Sequence, residues 1–96
     1  IMLKPLGNYY SAVYLNGKHY KKMHAKEYYT KFVKSKGVKA AIDSFSRLKK
    51  NFDLIILEGA GSPAEINLQK FDIANMSIAE KVNASVLLIS DTDTGI

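Results

Sequence analysis

The 96-residue chain contains no cysteine. That excludes disulfide staples, thiolate zinc sites and a cysteine nucleophile, and it suits a reducing cytoplasm. No apolar stretch approaches the ~20 residues that a membrane-spanning helix needs. The opening Ile1-Met2-Leu3-Lys4-Pro5 reads as a strand rather than a secretory signal. Two prolines and six glycines in a chain that is 47% apolar and 24% charged argue against disorder and low complexity. Neither G-x-x-x-x-G-K-[ST] nor G-x-G-x-x-G occurs, so the phosphate-cradling P-loop is missing from this chain. His19 and His24 have no acid or cysteine placed to complete a metal site, and they read as surface or partly buried histidines.

Charge is present but unevenly spread. Residues 1–50 carry twelve Lys or Arg against Glu27 and Asp43, a net +10. Residues 51–96 carry Lys70 and Lys81 against seven acids, a net −5. Such a basic half suits a nucleic acid or a polyanionic small molecule, and a solvated, lysine-rich helical face accounts for it equally well. All six tyrosines lie within the first 29 residues, among lysines, a composition seen in aromatic-basic binding faces and also in ordinary core packing.

Patterning predicts the elements. Ile1 to Leu6 reads as a short strand, and Ser11 to Leu15 as a second that stops at the hairpin signal Asn16-Gly17. From about Ala25 to Asn51 the pattern is helical and divided by Gly37, with Val38, Ala41, Ile42, Phe45, Leu48 and Phe52 as an apolar stripe facing a sheet. Asp53 to Leu57 and Ser85 to Ser90 read as buried strands, with a helix over Ile73 to Val82 between them. This βαβ rhythm predicts an α/β fold, a mostly parallel sheet with right-handed crossovers. No internal repeat or linker interrupts it.

The candidate site lies at the ends of those two predicted strands. Glu58 follows the apolar run and is itself followed by Gly59 and Gly61. Glycines there let the backbone approach a ligand and turn N–H groups toward an anion, and the acid suits Mg²⁺, which favours one or two carboxylates plus phosphate oxygens. Glu65 could share the metal or orient a substrate, or serve simply as an acid near a helix start. Asp91 and Asp93 follow the second run, on the edge that Glu58 would share in a parallel sheet, although a polar turn explains them too. Lys4, set among apolar strand residues, suits a phosphate or carboxylate ligand, with snorkelling from an edge strand as the plain alternative. Ser77-x-x-Glu80 fits a capping box.

Leu3-Lys4-Pro5, Asn16-Gly17, Glu27-Tyr28-Tyr29, the run Glu58 to Asn67, Asp72-Ile73-Ala74-Asn75-Met76 and Asp91-Thr92-Asp93 together resemble the synthetase domain of the cobyric acid synthases. The resemblance runs nearly end to end, and the segment Glu-Gly-Ala-Gly-Ser-Pro-Ala-Glu-Ile-Asn is its most specific part. That family is similar to dethiobiotin synthetases and cobyrinic acid a,c-diamide synthases. The resemblance implies a P-loop-type, three-layer α/β fold with a mostly parallel sheet flanked by helices. It also implies an enzyme of cobalamin biosynthesis that uses ATP and Mg²⁺ to activate peripheral carboxylates of a corrinoid, adenosylcobyrinic acid a,c-diamide, as acyl phosphates. A glutaminase domain then supplies ammonia for their amidation.

Carried over by position, Glu58 looks like the Mg²⁺ ligand, joined by Asp91. Glu65 looks like a supporting acid, and Lys4 like the lysine that meets the carboxylate or transferred phosphate. Gly59, Gly61 and Asp91 would lie beside the nucleotide, and Ser62, Asn67 and Asn75 on the substrate side. Residues 1–96 would then be a partial synthetase domain, without the P-loop and the cysteine-dependent glutaminase, and inactive alone. A homo-oligomer is compatible with this reading. Three alternatives stand beside it: a non-catalytic binding module of the same fold, a small basic nucleic-acid-binding domain built on residues 1–50, and an amidase of another tetrapyrrole. Nucleic acid is the weaker partner.

Overall fold

In the computed structural model, residues 1–59 and 74–92 are described. Three antiparallel strands come first: β1 (Met2–Gly7), β2 (Tyr10–Leu15) and β3 (Lys18–His24), in the spatial order β1-β2-β3. Tight turns make this meander. Asn16 and Gly17 both take positive φ, 52° and 81°, the backbone of the two-residue turn whose twist matches that of the strands it joins. Asn8 and Tyr9, at 52° and 65°, repeat the geometry between β1 and β2.

β2 pairs Ala12 with Lys4 on one side and with Lys22 on the other, and Val13 with Leu3 and Lys21. The β2–β3 register then slips between Val13 and Tyr14, so that Tyr14 faces His19. One extra residue in β3 at this point is a β-bulge, which re-aims the side chains beyond it.

A continuous helical segment follows. α1 (Ala25–Glu27) opens it, residues Tyr28–Gly37 form a wider π-helix, and α2 (Val38–Lys49) closes it. His24 Nδ1 caps the start by accepting the Lys26 backbone N–H at 3.1 Å, which satisfies one of the orphan donors of a helix N-terminus. The buried residues of the π-helix are Tyr28, Phe32, Val33 and Gly37, spaced four or five apart as an i→i+5 helix requires. Thr30 and Ser35 return their hydroxyls to the carbonyls of Lys26 and Lys31 at 2.6 and 2.9 Å, a contact that loosens the ordinary i→i+4 ladder. Gly37 does divide the helical region, as its sequence predicts.

The core is small. Val13 and Met23 from the sheet meet Tyr28, Phe32 and Val33 from the π-helix, with Leu15 and Val38 at the margin. Tyr28 and Phe32 stack with centroids 5.4 Å apart, and Tyr20 joins Phe32 at 5.6 Å.

Here the structure corrects the expected fold. The sheet is antiparallel and three-stranded, not a P-loop-like, mostly parallel sheet in three layers. Residues 54–59 and 84–92 form no strand. Leu54, Ile56, Leu87 and Ile89 are 77, 84, 86 and 85% exposed, the reverse of the burial their apolar character predicts. The physical reason is pairing. An apolar run becomes a strand only when a neighbour satisfies its backbone, and among the described residues neither run has one. Residues 2–24 pair locally through two-residue turns at little loop-closure cost.

The α2 stripe is only partly covered: Val38, Ala41, Ile42 and Phe45 are half-buried, whereas Leu48 and Phe52 are exposed. α3 (Met76–Lys81) is shorter than the helix expected over 73–82, and residue 73 lies outside the described residues. No described helix is long and apolar enough to cross a membrane.

Candidate functional site

Of the expected site residues, Gly61, Ser62, Glu65 and Asn67 lie outside the described residues, as does Asp93. Glu58 and Asp91 are exposed, each following one of the two unpaired apolar runs. Lys4 is exposed near the middle of β1. Among the described residues, Lys4 and Glu58 enter no ion pair, and no three His, Asp or Glu side chains gather into a ready cation cage.

The structure brings one expected position, Gly59, against the residue next to another, Asn75. A Cβ on Gly59 would overlap the Ala74 carbonyl and lie 2.7 Å from the Ala74 Cβ. Gly59 is therefore held against the residue that precedes Asn75, which flanks the N-terminus of α3. The close approach that glycine permits at position 59 is made, among the described residues, to this backbone. Glu58 and Asn75 are thereby tethered at neighbouring points of the fold.

A second grouping, on the sheet, escaped the sequence reading residue by residue. Tyr10, Ala12, Tyr14, Lys22 and His24 share one face with Lys4 by register. Tyr10 and His24 meet edge to face with centroids 5.1 Å apart, as do Tyr14 and His19 at 5.4 Å. Lys22 Nζ stands 4.9 Å over the Tyr10 ring, a cation–π contact. On the opposite face Lys21 donates to Glu27 at 2.6 Å. That bond holds the Glu27 carboxyl below its ordinary range and raises the Lys21 ammonium. The signal for the first face was present as tyrosines among lysines. What was missing was the register that separates Lys22 from Lys21.

Comparison with known proteins places the chain. It is 46% identical over 95 residues to the cobyric acid synthase of Clostridium botulinum (strain 657 / Type Ba4), which takes in 99% of this chain and 19% of that protein. In sequence, the chain is a relative of the cobyric acid synthases. The probable cobyric acid synthase of Methanococcus voltae is also 46% identical, over 99% of this chain and 41% of its own length. The cobyric acid synthase of Caldanaerobacter subterraneus subsp. tengcongensis is 48% identical, over 99% of this chain and 18% of its own. The chain thus spans less than half the length of these cobyric acid synthases. No protein-family model matches it, and no solved structure matches it at a significant level.

Proposed function

We propose that this chain is part of the synthetase region of a cobyric acid synthase, an enzyme of cobalamin biosynthesis. In this reading the enzyme amidates peripheral carboxylates of adenosylcobyrinic acid a,c-diamide at the expense of ATP, with ammonia drawn from glutamine. The observation that carries the proposal is the 44–48% identity to proteins of that name across 99% of the chain, which takes in the Glu58–Asn67 segment and the acids around Asp91.

The residues present fit the cofactors. Glu58 offers an exposed carboxylate with no described cation beside it, an oxygen donor of the kind Mg²⁺ prefers. Asp91 brings a second carboxylate to the reading. Mg²⁺ would supply neutralisation of the triphosphate charge. Within the chain, Glu58 would hold the cation, and Gly59, packed closely against Ala74, fixes the backbone beside it. Lys4 offsets the repulsion between a substrate carboxylate and the phosphate it approaches. Asn75, Ser62 and Asn67 orient the substrate's polar edge, and Glu65 supports the metal side. Positioning of two anions against fixed cations supplies most of the effect expected of such a site.

The test is an amidation assay on the full-length protein containing this chain, with glutamine, ATP, Mg²⁺ and adenosylcobyrinic acid a,c-diamide. Stepwise mass increments for conversion of carboxyl to amide are expected, and unchanged corrinoid would overturn the reading. The isolated 96 residues should show no ATP turnover under the same conditions.

A further inference from the structure

The face of the sheet that carries Lys4 also carries Lys22 and a set of rings that the proposed reaction has not used. Lys4, Ala12 and Lys22 form one row across β1, β2 and β3. With strands spaced by about 4.8 Å, the two lysine Cα atoms stand about 10 Å apart on the same side. Between them lies Ala12, small, uncharged and itself buried beneath its neighbours. Along β2 the row is flanked by Tyr10 with His24 on one side and by Tyr14 with His19 on the other. The core residues that meet the helix, Val13 and Met23, belong to the opposite face. No acidic residue occurs in β1, β2 or β3, so neither lysine of the row has an acidic partner within the sheet. Glu27 is engaged by Lys21 on the other side.

This arrangement decides between two kinds of anion. A single-stranded nucleic acid needs open aromatic faces on which bases stack. Here Lys22 occupies the face of Tyr10, and both tyrosines meet their histidines edge to face. What is presented is a pair of lysines whose Cα atoms stand about 10 Å apart, on either side of Ala12 and edged by rings. That pattern fits a broad, flat molecule with carboxylates on its rim.

Building on the proposed function, we infer that this sheet face is the docking surface for the corrinoid substrate. Lys22 pairs with one peripheral carboxylate and Lys4 with another, while the ring system lies over Ala12 between Tyr10 and Tyr14. Lys22 is then a positioning residue: it sets where the macrocycle sits and takes no part in phosphate transfer.

The experiment is a binding titration, independent of ATP turnover, on the full-length protein containing this chain. Cobyrinic acid is the probe, followed by its own visible absorbance, with its fully methyl-esterified form as the uncharged control. The variants are Lys22→Glu, the milder Lys22→Gln, and Lys50→Glu as a charge control at the far end of α2. Lys22→Glu should weaken cobyrinic acid binding at least tenfold and Lys22→Gln several-fold. Lys50→Glu should change it less than twofold, and the ester should bind weakly to every form. In turnover, Lys22→Gln should raise KM for the corrinoid more than it lowers kcat.

Equal weakening by Lys22→Glu and Lys50→Glu would mean diffuse attraction and would overturn the inference. So would unchanged binding in both Lys22 variants, or displacement of cobyrinic acid from this face by a short single-stranded RNA. Specific corrinoid binding in a protein that never amidates would leave this inference standing and remove the proposed reaction instead.

Discussion

Lys21 Nζ lies 2.6 Å from Glu27 Oε1. The contact joins the last strand of the sheet to the first turn of the helix, six residues on. Its pH dependence follows from the directions of the two shifts. Glu27 is depressed chiefly by the hydrogen bond from Lys21, so its contribution to stability is present above the unfolded carboxylate value of about 4.3 and is lost as pH falls. Lys21 is raised chiefly by the bond to Glu27, so its contribution is intact below about 10.4 and is lost as pH rises. Thermal melts of Glu27→Gln against the parent should therefore differ near neutrality and converge below pH ~4 and in ~1 M salt, where screening is nearly complete. A difference that persists at low pH would mean that Glu27 acts through something other than this pair.

A second expectation concerns Tyr28. Burial pushes its phenol above the ordinary tyrosine value, with the neighbouring Tyr29 adding to the effect. A raised group favours the folded state while protonated, so its contribution holds below about pH 10 and fades as pH climbs through the higher folded value. In a spectrophotometric titration Tyr28 should be among the last of the six tyrosines to ionise. Tyr28→Phe should remove a late step and make the fold less sensitive to alkali. Loss of an early step instead would place Tyr28 in water.

Phe32 is the point at which the small core is most exposed to damage, since it touches both Tyr28 and Tyr20. Phe32→Ala should cost about 3–5 kcal/mol. For a domain whose whole stability is of order 5–15 kcal/mol, that is a large share of the total. Phe32→Leu should be milder. Urea melts of the two variants check this, and near-parental midpoints for both would show that the aromatic stack contributes little.

The sequence was readable where the physics is local. Asn16-Gly17 announces its turn because few residues other than Asn and Gly accept positive φ without cost. The helical region from Ala25 is legible for the same reason, and Gly37 marks its change of pitch. β3 was harder. Lys18-His19-Tyr20-Lys21-Lys22-Met23 lacks clean alternation, because the bulge at the Val13–Tyr14 slip places both Tyr20 and Lys21 on the helix side. The apolar runs at 54–57 and 86–89 misled for a different reason. β-branched composition reports what would fit a sheet, and a sheet also needs a neighbour that no local pattern contains. Glu58 was singled out as a candidate from its neighbours in sequence, whereas the Lys4–Ala12–Lys22 row needed the register of three strands.

Gly17 supplies a compact test of the turn. Its φ of +81° lies in the left-handed region, and a Cβ there would meet open space. Gly17→Ala should therefore destabilise by backbone strain alone, by about 1–2 kcal/mol, read as a lower urea midpoint with an unchanged slope. No shift in midpoint would mean that the hairpin turn is not formed in solution.

Glu58 carries the last prediction, and Gly59 sharpens it. If Glu58 holds Mg²⁺ beside the triphosphate, Glu58→Gln keeps size and hydrogen bonding but removes the charge. In the full-length protein containing this chain, turnover should fall by about 10²-fold or more, the scale seen when one electrostatic stabiliser is lost. The Mg²⁺ concentration for half-maximal rate should rise as well. Gly59→Ala attacks the same position by another route. The added methyl would overlap the Ala74 carbonyl, so the turn must shift and carry Glu58 with it, lowering turnover while the carboxylate remains. Lys4→Ala, on β1, should lower the rate and leave the Mg²⁺ dependence in place, because in the proposed reading Lys4 meets the phosphate or carboxylate and not the cation. A Glu58→Gln enzyme with parental rate and parental Mg²⁺ demand would detach the acid from the chemistry, whatever the other two variants did.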